Sequence, residues 1–94
     1  MDATTTKIEK KPSTFGGYFT SIHVKDDNGE TYNVTPDEKH GTIRLWKPTI
    51  EAGVGARLFG LRVGAEINGK KYLDYHWPPT RIETPVDNQM TLNI

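Results

Sequence analysis

The stretch FGLRVGAEINGKKYLDYHW, residues 59–77, decides the fold. Its apolar residues alternate on both sides of Asn68-Gly69, a dipeptide that strongly favours a tight β-hairpin turn. A three-residue loop, Ile67-Asn68-Gly69, pairs Val63 with Leu73, Leu61 with Tyr75 and Phe59 with Trp77. On the opposite face the same register sets Glu66 against Lys70 and Arg62 against Asp74. A slip of one residue destroys all of these pairings, because side chains alternate faces with a period of two. Gly60 and Gly64 then fall opposite His76 and Tyr72, where a ring can lie over bare backbone or the strand can bend. Trp77-Pro78-Pro79 ends the hairpin because neither proline has an N–H to donate, and this register turns Trp77 toward the core as its cap, the alternative being an exposed peptide-binding aromatic groove.

A second hairpin lies upstream. Tyr18, Ile22 and Val24 share one strand face, and Tyr32 and Val34 share one face of the next. A two-residue Asn28-Gly29 loop pairs Val24 with Asn33, apolar against polar. The three-residue loop Asp27-Asn28-Gly29 instead pairs Val24 with Tyr32 and Ile22 with Val34, with Gly29 in the left-handed position of a bulged turn. Between the hairpins, Thr35-Pro36-Asp37-Glu38 has capping-box spacing and predicts a single helical turn stopped by Gly41. Residues 42–47 read as a strand, with Ile43 and Leu45 on one face and Arg44 and Trp46 on the other, ended by Pro48. Residues 48–56 have room for a turn or short helix before Gly53 and Gly55. The predicted strands are thus 15–25, 30–35, 42–47, 56–66 and 70–77.

Composition sets the outer limits. With 94 residues, 34% of them hydrophobic, one small core fits and a second does not. The absence of cysteine removes disulfides, thiol catalysis and Cys-ligated zinc. Residues 1–14, polar and threonine-rich with Ile8 as the one sizeable apolar residue after Met1, read as a flexible arm. No apolar h-region follows Lys7, Lys10 and Lys11, and no run approaches the ~20 residues of a membrane helix, so a cytoplasmic chain with no membrane partner is expected. The domain is placed at 15–83 and a tail at 84–94, where Met90, Leu92 and Ile94 alternate like a short strand.

A long first strand opening Phe15-Gly16-Gly17-Tyr18-Phe19, Trp46 in the third strand and the Asn68-Gly69 hairpin make residues 15–83 resemble the compact OB-fold single-stranded nucleic-acid-binding proteins. The resemblance implies an all-β, five-stranded OB-like barrel. The short 48–56 connector departs from the helix usual there and leaves an SH3-like barrel as the alternative. Bacterial members are similar in carrying a partner-binding tail, but theirs is strongly acidic and this one has only Asp87. Addition of the tail to a sheet edge, in the same chain or in a homodimer, is the expected use.

The residues left on polar faces point the same way. Phe19, Trp46 and Tyr72 are the candidate base-stacking rings, and Arg44, Lys47, Arg57 and Lys71 the candidate phosphate contacts. Arg62 is set aside for Asp74. Charge is segregated: residues 15–38 carry one lysine against five acids, residues 39–81 eight cations against three. The competing account is that these segments neutralise each other across strands. Gly53-Val54-Gly55-Ala56-Arg57 has the makings of a backbone anion nest but lacks P-loop chemistry, and a loop turning a corner explains it better. His23, His40 and His76 have no metal-ligand spacing, no cofactor is implied, and no nucleophile has an identifiable base, so no enzyme is expected. The expectation is a non-catalytic binder of single-stranded nucleic acid, DNA before RNA. The alternative is a protein-interaction module, SH3-like or a viral or accessory adaptor.

Overall fold

The computed structural model of the chain describes residues 1–14 and 16–85. Seven strands form it: β1 (Ala3–Pro12), β2 (Tyr18–Asp26), β3 (Thr31–Val34), β4 (Arg57–Phe59), β5 (Val63–Ile67), β6 (Lys70–Leu73) and β7 (Arg81–Glu83). They make one curled sheet in the order β5-β6-β3-β2-β1-β4-β7, a half-barrel. All pairings are antiparallel except β3 with β6. A 3-10 turn (Ile43–Trp46) leads directly into α1 (Lys47–Ala52). The core lies inside the curl, where Ile22, Val24, Val34, Trp46, Leu58 and Leu73 pack together. Among the described residues no helix is long and apolar enough to cross a membrane.

The first hairpin has the predicted register, Val24 opposite Tyr32 and Ile22 opposite Val34. Asp26 Oδ1 accepts from the backbone N–H of Asn28 and of Glu30, and Gly29 takes φ +84°, which closes the three-residue loop. The second hairpin keeps Val63 opposite Leu73 but turns on two residues, with Ile67 opposite Lys70 and Glu66 opposite Lys71. Asn68 (φ 52°) and Gly69 (φ 81°) both take left-handed backbone, as the two-residue turn demands. A bulge between Val63 and Glu66 absorbs the one-residue difference.

Four expectations are corrected. Residues 1–14 are not a free arm: Ala3–Pro12 is the longest strand, paired with β2 along its length and with β4 at its start. The strand predicted over 56–66 is split between β4 and β5, because Gly60 turns the chain with φ +74°. A Cβ there would stand 2.4 Å from Thr80 Oγ1, so the turn needs glycine. Released from the hairpin, Phe59 pairs with Arg81, and Trp77 lies 47% exposed, not in the core. The predicted helical turn at 35–38 is replaced by a turn further on, whose opening Asp37 caps: its Oδ1 accepts from His40 N–H at 2.8 Å.

The fourth correction bears most on the site. Residues 42–47 are no strand; Pro48, read as a strand stop, occupies the first turn of α1, where its missing N–H costs nothing. Trp46 therefore points into the core with 0% exposure, and its indole N–H donates to the Tyr75 carbonyl at 2.8 Å. The sheet thus has seven strands where five were predicted. Residues 86–94, with the alternating tail, and Phe15 lie outside the described residues.

Candidate functional site

Alternate residues of a strand face opposite ways, and cross-strand partners share a face. The registers then define the outer face of the half-barrel. β2 presents Phe19, Ser21, His23 and Lys25, with Lys11, Glu9 and Lys7 of β1 opposite the first three. β3 adds Thr31 and Asn33, and Asn33 lies beside Tyr72 of β6. On the other flank Arg57 and Phe59 of β4 pair with Glu83 and Arg81 of β7. Six cations (Lys7, Lys11, Lys25, Arg57, Lys70, Arg81) stand on this face against three carboxylates, Glu9, Glu83 and Asp37, the last the bridge partner of Phe19.

Two cavities open on it. An apolar groove of about 760 Å³ lies between the start of β2 and the β5–β6 hairpin, lined by Pro12, Phe19, Ile67, Tyr72 and Tyr75 among others. Among the described residues Asp37 and Asp74 are its charged residues, and no cation lines it. A polar cavity of about 320 Å³ lies further along β2 and β3, lined by His23, Glu30, Thr31, Asn33, Gly69, Lys70 and Lys71. Asn33 lines the second cavity and its neighbour Tyr72 the first.

Ion pairs tune the face. Lys7 and Lys11 hold Glu9 between them at 2.6 and 3.2 Å. Their hydrogen bonds lower the Glu9 carboxyl to about 2. Glu9 also lies 3.8 Å from His23 Nε2, which Ser21 Oγ approaches at 3.2 Å. Arg57 binds Asp27 through two parallel bonds of 3.0 and 2.9 Å and holds that carboxyl below its usual range. Lys71 donates to Glu30 at 2.8 Å, and this bond raises the ammonium above its ordinary value.

Of the seven predicted site residues, Phe19 and Tyr72 meet in the apolar groove. Arg57 and Lys71 are occupied by Asp27 and Glu30, so acidic and basic segments do partly neutralise each other. Arg44 and Lys47 are exposed, but on the turn and helix that cover the core face. Trp46 is buried beneath them. Arg62 lies over the Trp77 ring at 4.8 Å, and its backbone carbonyl, not its side chain, meets Asp74. The outer-face cations on β1, β2 and β6 are Lys7, Lys11, Lys25 and Lys70, of which the first two fell in the presumed arm and are both held by Glu9. The alternation Lys7-x-Glu9-x-Lys11 was the available signal: charges at period two mark the solvent face of a strand. Phe59, with Arg57 at 5.6 Å and Arg81 at 4.1 Å from its ring, was hidden by its expected pairing with Trp77. No family model matches the chain, and neither a curated protein nor a solved structure matches it.

Proposed function

We propose that this chain is an OB-like half-barrel that binds single-stranded nucleic acid and makes or breaks no bond. The strand lies across β1, β2, β3 and β6 on the outer face. The observation that supports this best is the apolar groove holding Phe19 and Tyr72 on a face whose cations outnumber its carboxylates. Bases stack on such rings for ~1–3 kcal/mol each, and lysines beside them follow the phosphates. The set of contacts is Phe19 and Tyr72 for bases with Lys7, Lys11, Lys25 and Lys70 for the backbone; Trp46 has no surface to offer.

The test is fluorescence anisotropy of a labelled oligothymidine across a salt series. With three to five phosphates neutralised, log affinity falls against log salt with a slope of about −2 to −3.5. Phe19→Ala and Tyr72→Ala each weaken binding by about tenfold and leave the slope unchanged, since stacking releases no counterions. Failure to bind at low salt, or a slope near zero, overturns the reading. The protein-interaction reading then takes its place, on the strength of β5: an edge strand with Val63 52% and Ile67 55% exposed is open to strand addition.

A further inference from the structure

The two cavities of the outer face have complementary chemistry. The apolar groove offers rings and aliphatic walls, holds Asp37 and Asp74, and has no cation in its lining, so it suits a base and repels a phosphate. Among the described residues the polar cavity has no aliphatic, Phe, Tyr or Trp side chain in its lining. It offers the Thr31 hydroxyl, the Asn33 amide and His23, with two ammonium groups, Lys70 and Lys71, against one carboxylate, Glu30. Glu30 is bonded to Lys71, whereas Lys70 makes no ion pair or hydrogen bond among the described residues. Its charge is available to a ligand.

The cavities adjoin through Asn33 and Tyr72, bridge partners on neighbouring strands. Such strands run ~4.8 Å apart, so the two cavities meet at one pair of neighbouring residues. We infer that the polar cavity is the phosphate subsite of a mononucleotide unit whose base lies against Tyr72 and Phe19 in the apolar groove, with Lys70 as the phosphate's main cation. The smallest ligand recognised is thus a single phosphorylated nucleotide. This rests on the nucleic-acid reading of the face and adds to it where phosphate and base are separated.

The experiment is a titration of the full chain with thymidine and with thymidine monophosphate, followed by backbone amide NMR shifts, alongside the oligothymidine binding described above. Thymidine monophosphate is expected to move the signals of Asn33, Gly69 and Lys70 together with those of Phe19 and Tyr72. Thymidine is expected to move only the latter pair. Lys70→Ala, an exposed substitution, is expected to weaken the monophosphate by at least about threefold and leave thymidine unaffected. Monophosphate shifts confined to the groove, or an unchanged affinity in Lys70→Ala, overturn the subsite while oligothymidine binding stands. Monophosphate bound in both cavities without oligothymidine binding keeps the subsite and removes the strand-binding role. Absence of both kinds of binding removes both.

Discussion

Glu9 shows how one residue ties stability to the charge of the outer face. Its carboxyl is lowered from 4.5 to about 2 by Lys7 and Lys11, so it releases its proton more readily folded than unfolded. A depressed carboxyl contributes stability that is fully present above the unfolded value and is lost as pH falls toward the folded one. Urea midpoints of the parent are therefore expected to drop between about pH 4.5 and 2, and Glu9→Gln to flatten that part of the profile. An identical acid limb in the variant would show that the pairs with Lys7 and Lys11 form no tighter in the native state than in the unfolded chain. The substitution also removes the charged partner of both lysines. Trp46 illustrates the opposite case: tryptophan between Arg44 and Lys47 has the composition of a stacking site, yet its large apolar surface and single N–H are both satisfied inside.

At the scale of elements, β1 decides whether the sheet is continuous. It is the sole strand joining β2 to β4, so β4 and β7 hang on it. Thr5 N–H donates to Ala56 O and Thr5 O accepts from Gly55 N–H, which extends that contact past β4. Deleting residues 2–12 is expected to abolish the cooperative urea transition seen by circular dichroism. A dispensable arm would leave the midpoint unchanged. The first hairpin was legible because its apolar residues, its Asx-type Asp26 and its Gly29 all agree on one register. β1 was not, because threonine and lysine bury little apolar area and Ala3 and Thr5 gain their burial from neighbours distant in sequence.

At the scale of the molecule, the curled sheet has an outer face and a core face covered by the 3-10 turn and α1. Arg44 and Lys47 are exposed on the turn and helix that cover the core, and neither lines the groove that holds Phe19 and Tyr72. The double substitution Arg44→Glu with Lys47→Glu is therefore expected to leave oligothymidine affinity within about twofold at ionic strengths where the Debye length is ~8 Å. A loss of tenfold or more in the anisotropy assay would move the binding face to that turn and helix. The sequence by itself determined the class of fold and the first hairpin, because strand periodicity and turn chemistry are local properties carried by adjacent residues. It also singled out Phe19 and Tyr72, which sit on strands in the predicted and the observed structure alike. Only the tertiary structure decided that Ala3–Pro12 is a strand, that Trp46 is core and that the cations on the outer face of β1, β2 and β6 are Lys7, Lys11, Lys25 and Lys70. Each of these depends on which distant strand or carboxylate comes alongside, as Asp27 does for Arg57 and Glu30 for Lys71, and no local pattern encodes that choice.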